Sequence, residues 1–477
     1  MKHEWATNSA FPNVNPRIKR KKEKKKFSLG KYLAQKRGCV CVLLLVFFLI
    51  LSLCSQARQP SGLQNEETNT DFITTWRIAT ANSTVSLPLH PSGDYDCWVD
   101  WGDGSERVRL QTSDFKASEA KHTYEQKGEY RVSISGIFQG FRFSTGKNNV
   151  LENECYAQEL VEIVQWGDSR FLNLPNQFAH SKIERMNTLD EPNMDGIVTM
   201  QGWFLLAKAF TGEGIQRWDV SRVRVMNRLF EHAYSFNQDI GAWNVARVES
   251  MNAMFSYAIS FNQDIGGWTV GRVKSMNAMF LQAKCFNQDI GEWDVSEVKS
   301  MNAMFRHASS FNQDIGRWTV SGVEDMSMMF AHASLFNQDI GGWDVSGVKY
   351  MTAMFRHASS FNQDIGRWTV GKVENMTYMF QCAEEFNQDI SRWDVRQVVD
   401  MSLMFSEARA FNQDIGRWNV GGVMYMYQMF GGAAAFTHDV SQWNVGAVVN
   451  AKYFDEETNS NWADERKPAF GVADEKQ

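Results

Sequence analysis

A 25-residue repeat constrains the fold of this chain more than any other feature. Tryptophan occurs ten times at an unbroken spacing of 25 residues, from Trp218 to Trp443. The triplet Asn-Gln-Asp recurs eight times, from residues 237–239 to residues 412–414. A fixed period of this order is typical of solenoids, propellers and arrays, and the unit is too short for a four-stranded propeller blade. The repeat therefore predicts a solenoid with one unit in each coil.

The spacing of apolar residues inside one unit predicts the structure of a coil. Trp243 and Val245 are separated by one polar residue, which is the spacing of a strand. The apolar residues within 251–258 (Met-x-x-Met-Phe-x-x-Ala) have the spacing of one helical face. We therefore predict a short parallel strand and a short helix in each 25-residue coil. Because parallel strands lie about 4.8 Å apart, the stacked coils would form a rod on the order of 50 Å long.

Two kinds of repeated residue are predicted to be structural. The Trp column should be buried, because stacked neighbours supply the core that one unit cannot form alone. The Asn and Asp columns should form a ladder whose side chains bond the turn backbone of the next coil. The ladder comprises Asn237, Asp239, Asn262, Asp264, Asn287, Asp289, Trp243, Trp268, Trp293 and Trp318. Calcium bound by the carboxylates is the alternative, which repulsion between stacked like charges disfavours.

The N-terminal region combines a basic segment with an apolar one. Residues 1–37 carry twelve Lys and Arg against two Glu, a net charge of +10, whereas the whole chain carries −6. Residues 38–54 are uncharged and almost wholly apolar, a length that can span a bilayer. Positive charge on the N-terminal side predicts a cytoplasmic tail (1–37) and a transmembrane helix within 38–57. Cleavage as a signal peptide, which would give a secreted protein, is the alternative.

The remaining residues divide into four parts. Residues 58–71 are polar and predict a stalk, with all later domains extracellular or lumenal. Residues 72–159 hold short alternating runs separated by turn signals, and predict a small β-sandwich. Degenerate repeats begin at residue 160, so the solenoid is predicted over 160–455, followed by a polar tail over 456–477.

These motifs resemble two known families. Trp-Asp-Val-Ser-x-Val-x-x-Met-x-x-Met-Phe with Phe-Asn-Gln-Asp-Ile resembles the BspA-like leucine-rich-repeat surface proteins, over about residues 160–455. Trp-Val-Asp-Trp-Gly-Asp-Gly-Ser, with His-Thr-Tyr and Gly-Glu-Tyr-Arg-Val, looks like a PKD domain, an immunoglobulin-like sandwich, over about residues 72–143. The resemblance implies a solenoid of leucine-rich-repeat type in a cell-surface or secreted protein that binds macromolecules without catalysis. It transfers no ligand-binding residue to this chain.

Several polar residues have competing interpretations. His307, His332 and His357 recur at one position, where a solvated helix face is favoured over a zinc site. A disulfide between Cys97 and Cys155 stays open on the sequence alone. The Asn-x-Ser/Thr sequons are possible glycosylation sites, Asn82 and Asn375.

The residues beside each Trp form the predicted partner face. If Trp and Val point inward, the residues before and after Trp point outward and stack into one charged surface. The candidate residues are Glu292, Asp294, Arg317, Asp344, Arg367, Arg392, Asp394 and Arg417. Mixed charge suits selective binding of a protein or glycan at the cell surface or in a matrix. The alternative is a structural wall or matrix component that self-associates.

Enzyme motifs are missing from the sequence. It contains no Gly-rich phosphate loop, no His-Glu-x-x-His and no Gly-x-Ser-x-Gly. Its carboxylates repeat in register, which suits a scaffold better than a single active site. We therefore predict a non-catalytic protein with no cofactor, no bound metal and no nucleic-acid partner.

Overall fold

The computed structural model of this protein describes most of the chain beyond residue 69. The described ranges are 70–90, 92–112, 120–140, 159–186, 188 and 190–471. All of them belong to one compact unit, residues 69–477.

The structure does not support the predicted transmembrane helix. Within the described ranges, no helix combines the length and the apolar character needed to cross a membrane. The predicted tail (1–37) and span (38–57, with its apolar core at 38–54) lie outside the described residues. The expectation of a single-pass membrane protein is therefore not supported.

Seven strands are described before the coils begin. They are β1 (Phe72–Ile78), β2 (Ser83–Ser86), β3 (Tyr95–Asp100), β4 (Val108–Gln111), β5 (Lys121–Tyr124), β6 (Gly128–Phe138) and β7 (Leu160–Gln165). Five form an antiparallel sheet in the order β4-β3-β6-β1-β7, and β2 pairs with β5 in a second sheet. Because β7 begins at residue 160, the sheet extends into the range predicted for the solenoid.

The strand domain is joined directly to the coils. Trp76 in β1 is fully buried, and its neighbour Arg77 points to the opposite, exposed face, as strand alternation requires. The Arg77 guanidinium bonds Glu129 of β6 at 2.8 Å and Glu184 in the first coils at 2.6 Å. This bridging arginine links the sheet to the start of the solenoid.

The segment predicted as a helix forms two successive turns in each coil. The Met251 carbonyl accepts a hydrogen bond from the Met254 amide at 3.2 Å, and an equivalent turn follows four residues later. The third residues of these turns, Ala253 and Tyr257, have φ angles of 54° and 57°. Positive φ at the third residue is the mark of a type II turn. A right-handed α-helix needs negative φ at every residue, so a helix cannot form here.

The predicted helices are therefore wrong. No α-helix occurs in the described ranges, whose helical elements are short 3-10 turns such as Ile215–Arg217 and Asp464–Arg466. The three- and four-residue spacing of Met, Met, Phe and Ala arises instead from two stacked turns. Their apolar side chains still share one buried face.

The strand of each coil is also displaced from its predicted position. Ser250 pairs in parallel with Ser275, and single bridges of this kind continue at 25-residue steps to the last coil. Trp243 and Val245, where a strand was predicted, form no bridge. Both side chains are nevertheless buried. The strand of leucine-rich-repeat type is thus reduced to one bridging residue per coil.

Hydrogen bonds between coils hold the stack together. Alternate amides of the turn segment donate to carbonyls of the next coil, such as Ala253 to Asn277 at 2.8 Å and Phe255 to Met279 at 2.9 Å. Buried main-chain groups must find partners, and here the neighbouring coil supplies them. A coil is therefore incomplete until its neighbour is in place.

Equivalent aromatic rings of successive coils stack nearly parallel. The rings of Trp318 and Trp343 lie 6.4 Å apart with 1° between their planes, and the next pair in the column also differs by 1°. The rings of Phe280 and Phe305 lie 5.6 Å apart at 6°. Side chains at equivalent positions therefore form continuous columns along the solenoid.

The C-terminal residues close the last coil. The Trp462 indole donates to the His438 carbonyl at 2.8 Å, and the Val440 amide donates to the Arg466 carbonyl at 2.8 Å. Phe470 packs edge-on against Phe454, with ring centroids 5.0 Å apart. Residues 456–471, which were predicted to be a polar tail, therefore contribute a cap.

Deletion of one coil in register should be tolerated. Removing residues 311–335 joins Ser310 to Phe336, so each remaining coil still meets an equivalent neighbour. Deleting residues 311–322 instead would break the register and serves as the matched control. We expect thermal unfolding of the in-register deletion to stay close to the parent, while the half-coil deletion unfolds far more easily. Equal loss of stability in both deletions would contradict a modular stack.

Candidate binding surface

The residues beside each Trp form a charged ridge along the solenoid. Trp318 and Val320 are buried, whereas Arg317 and Thr319 on either side are exposed. We call the exposed positions directly before and after each Trp the Trp-flanking ridge. All eight predicted partner-face residues lie on it, and seven of them are exposed. Asp394 is half-buried, because it is bonded by a neighbouring arginine.

Local bonds neutralise part of this ridge. Arg317 forms an ion pair with Glu292 on the preceding coil at 2.9 Å, where both side chains are nearly 80% exposed. Asp394 pairs with Arg396 at 2.7 Å. Such exposed pairs contribute little to stability. They do determine which charged side chains of the ridge face solvent without an ion-pair partner.

Three arginines and two aspartates of the ridge have no ion-pair partner among the described residues. Among the described residues, Arg367, Arg392 and Arg417 form no ion pair. Asp294 and Asp344 each bond a serine amide two residues later, at 3.1 and 3.0 Å. The serine hydrogen bonds are the main cause that lowers the pKa of both carboxyl groups below their usual value. These two side chains are therefore anionic at neutral pH.

A groove interrupts the ridge at Gly342. Neighbouring coils place Arg317 and Arg367 at the equivalent position, so the glycine leaves a gap between two long side chains. The groove has a volume of about 620 Å³ and is open to solvent. Its polar lining consists of Asp339, Asp344, Asp364, Arg367 and Thr369.

The groove lining combines hydrogen-bond acceptors with a cation. One oxygen of Asp339 and one of Asp364 accept the amide two residues later at 2.9 Å. Among the described residues, none donates a hydrogen bond to the second oxygen of either carboxylate. The arrangement can accept hydrogen bonds from hydroxyl or amide groups while Arg367 donates. Asp339 and Asp364 belong to the Asp column, which was predicted to be structural, and Thr369 was not predicted as a site residue. The sequence signal for the groove is the glycine between two arginines.

The Asn column forms a ladder between coils. The side-chain oxygen of Asn237 accepts the Asn262 amide at 2.9 Å, and the Asn262 oxygen accepts the Asn287 amide at 2.9 Å. The Asp column behaves differently from the prediction: Asp264 and Asp289 bond the amide two residues later in their own coil, at 2.9 Å. Asp239 bonds Gly241 in the same way. The aspartates therefore fix turns rather than joining coils.

The predicted Trp column lies in the core. From Trp243 to Trp443, each indole N–H donates to an isoleucine carbonyl of the preceding coil, as in Trp243 to Ile215 at 3.0 Å. The same bond occurs at Trp268, Trp293 and Trp318. Buried indole nitrogens need a partner, and this bond supplies one in nine coils, whereas the buried indole nitrogen of Trp218 has no partner among the described residues.

The His column is stacked rather than arranged around an ion. The rings of His307 and His332 lie 4.1 Å apart, and those of His332 and His357 lie 4.3 Å apart. All three residues occupy left-handed turn positions, with φ from 54° to 60°, instead of the predicted helix face. Among the described residues, no group of three His, Cys, Asp or Glu side chains could hold a metal ion.

The remaining candidates lie away from the ridge. Asn82 is exposed in the turn before β2, whereas Asn375 is half-buried and accepts bonds from Thr352 and the Thr377 amide. Cys97 is buried in β3 as a free thiol, and burial raises its pKa to about 12. Its suggested partner, Cys155, lies outside the described residues.

The PKD-like resemblance of residues 72–159 is not confirmed. The family model that matches the repeats begins at residue 172 and does not cover the strand domain. No curated protein and no solved structure shows a significant match to the chain. The strand domain is therefore characterised by its strand order and pairing alone.

The family model instead confirms the repeat organisation. It matches residues 172–290, 265–368 and 351–465, which together span the coils. These segments cover more than half of the 477-residue chain. The chain therefore belongs to the family described as "Mycoplasma protein of unknown function, DUF285".

Proposed function

We propose that this protein is a non-catalytic binding protein that uses the Trp-flanking ridge to hold a polar partner, a protein or a glycan. A repeat protein of this family fits the surface role that the sequence resemblance implies. The regular stacking of the coils supports the proposal, because it places the charged positions of successive coils next to one another. A backbone that fixes where the charged residues stand favours specificity, since little backbone freedom is lost on binding.

The groove at Gly342 is the observation that carries the proposal. Its volume lies within the range of small-ligand sites, of roughly 300–1,000 Å³. Its lining is polar, so it suits hydroxyl, amide or charged groups better than an apolar ligand. Arg392 and Arg417 continue the ridge on the following coils and would extend the contact. A partner longer than the groove, such as a polysaccharide or an extended peptide, fits this layout.

Filling the groove should abolish binding. Gly342→Arg places a long side chain in the gap, and a Cβ at Gly342 meets nothing within 4 Å, so the fold should be unaffected. Gly267→Arg is the matched control, because this position also precedes a Trp and has open space around it. Partners would be sought with the full chain on a glycan array and in matrix and cell extracts. We expect Gly342→Arg to weaken the strongest interaction at least about tenfold, and Gly267→Arg to leave it unchanged.

A second variant tests the ridge beyond the groove. Reversing three charges, with Arg367→Glu, Arg392→Glu and Arg417→Glu, should slow association and weaken binding, because rim charges set the on-rate. Circular dichroism would establish that the variant keeps the parent fold. If the same partner binds both variants at full strength, the ridge is not the binding surface.

A further inference from the structure

A second charged column runs along the solenoid, beside the bridging residues. Its members directly precede the bridging residue of each coil, and each amide donates to the carbonyl of the equivalent residue one coil earlier. Lys299, for example, donates to Lys274 at 2.9 Å, and Glu324 donates to Lys299 at 2.9 Å. We call this series, from Val198 to Val449, the bridge-flanking column. Its backbone is paired throughout, so only its side chains are available to a partner.

The column changes in character along its length. Seven consecutive positions, from Arg224 to Glu374, are all charged. Val198 and Val399, which flank this charged run, are exposed apolar residues, at 40% and 42%, and the exposed apolar residues Met424 and Val449 follow on the last two coils. A series of this kind on one face can meet a partner over several coils at once.

When the column is placed against a second copy of itself in the reverse direction, charges of opposite sign meet. A two-fold axis through the Lys299 position places each residue opposite the one equally far away on the other side. Three pairs of opposite charge and one apolar pair result: Lys274 with Glu324, Glu249 with Lys349, Arg224 with Glu374, and Val198 with Val399.

Other positions of the axis keep fewer pairs of opposite charge. An axis through Lys274, or one midway between Glu324 and Lys349, keeps two such pairs instead of three. An axis through Glu324 places Lys299 opposite Lys349, two like charges. An axis midway between Lys299 and Glu324 places Lys274 opposite Lys349, and Glu249 opposite Glu374. Like charges that meet across an interface are strongly unfavourable. The register with the axis at Lys299 therefore has the largest number of opposite-charge pairs.

We propose that two copies of this chain associate antiparallel through the bridge-flanking column, with the two-fold axis at Lys299. A symmetric pair of this kind is isologous, the commonest arrangement of homodimers. Every complementary contact then occurs twice. The pairs within one chain, Glu324 with Lys349 at 2.9 Å and Arg224 with Glu249 at 3.9 Å, join those between chains into one network.

The axis itself brings two Lys299 side chains together. The Lys299 ammonium lies beside Gly322, about 3 Å from where a Cβ would stand, rather than straight out from the column. The glycine gives this cation room to move aside. The like-charge contact still opposes association, so its removal should strengthen the dimer.

The dimer should be weak and sensitive to salt. The contact spans eight coil steps, so it is about 40 Å long, and a width of about 10 Å gives roughly 400 Å² per chain. Stable interfaces bury about 800 Å² per partner. The contact relies on exposed charges, which salt screens over about 8 Å at physiological ionic strength.

Sedimentation velocity of the full chain at low and high salt tests the proposal. We expect reversible dimers at low salt that dissociate as salt is added. Arg224→Glu and Glu374→Arg should each raise the Kd at least about tenfold, because each turns two attractive contacts into repulsive ones. An equimolar mixture of these two variants restores every opposite-charge pair between unlike chains, so heterodimers should form.

Lys299→Ala tests the position of the axis. This variant should lower the Kd severalfold, whereas Lys274→Ala should raise it. A chain that stays monomeric at low salt overturns the proposal. Association that survives Arg224→Glu and Glu374→Arg, or a mixture that fails to form heterodimers, overturns it as well. These results are independent of the Gly342 groove, which lies on the Trp-flanking ridge.

Discussion

Replacing Trp318 with Ala should lower the free energy of unfolding by about 3–5 kcal/mol, the range for large aromatic residues in a core. The Trp318 side chain is only 3% exposed and stacks on Trp343 and Phe305. Its removal leaves a cavity between coils and also leaves the Ile290 carbonyl without the indole that donates to it at 3.1 Å. Urea unfolding followed by circular dichroism would measure the loss.

Arg317→Ala is the matched control for this substitution. Arg317 directly precedes Trp318 but lies in solvent, paired only with Glu292. We expect little change in stability for this variant. Equal effects of the two substitutions would mean that the Trp column does not form the core. Because solenoids couple mainly through neighbours, the loss at Trp318 should be largest in the adjacent coils.

Acidification from neutral pH to about pH 5 should destabilise the protein through its stacked histidines. Burial is the main cause that lowers the pKa of His307, His332 and His357. Neighbouring arginines lower all three pKa values further, and neighbouring imidazoles do so at His307 and His332. The pKa of His332 falls from 6.5 to about 3. Below pH 6.5, the ordinary pKa of histidine, the unfolded chain therefore binds more protons than the folded chain. Stability is full above about pH 6.5 and declines as the pH drops toward 3.

The charges that face this stack come from several coils. Arg306 and Arg356 oppose protonation, as does Lys284 beside His307, while Glu384 partly favours it at His357. Each histidine can change the free energy of unfolding by at most about 1.4 kcal/mol per pH unit. Partial exposure of the rings reduces this value.

A triple variant isolates the stack. His307→Asn, His332→Asn and His357→Asn keep residues that tolerate positive φ while removing the titrating groups. We expect a smaller loss of stability between about pH 7 and pH 5 than in the parent, since carboxyl groups titrate mainly below about 4.5. Undiminished pH dependence in the variant would assign the effect to other groups, such as His180 and His232, whose pKa values are also lowered.

The period and the inward residues of the coil could be predicted from the sequence, but its backbone could not. The spacing of Met251, Met254 and Phe255 is that of a helix, and two stacked turns produce the same spacing. What separates the two is positive φ at Ala253 and Tyr257, residues that give no sign of a left-handed conformation. The histidines at such positions are a weak indication, because His is enriched there.

The strand was misplaced for a related reason. Three residues, Trp243 to Val245, show alternation, but so short a run cannot distinguish a strand from an extended segment with an inward Trp. The bridge at Ser250 has no apolar pattern of its own. Its position follows from the bonds between coils, which a single repeat does not reveal.

The candidate surface was partly predictable. Alternation around Trp placed Arg367 and Asp344 outside, which the structure reproduces. The groove was not predicted, because Gly342 and Gly267 occupy the same position in the repeat. The sequence distinguishes the two glycines only through the neighbouring coils, which place Arg317 and Arg367 beside Gly342 but Ala242 and Glu292 beside Gly267.

The bonds between coils also determine how this protein would respond to force. A force applied along the stack acts on the hydrogen bonds between one coil and the next, such as the bond from Ala253 to Asn277. These interfaces can therefore break one after another and need not all break at once. The end coil would detach first, and each released coil would add roughly 80 Å of extended chain. Under tension the solenoid would lengthen in repeated steps, and so behave as an extensible tether whose reach grows with the number of coils released.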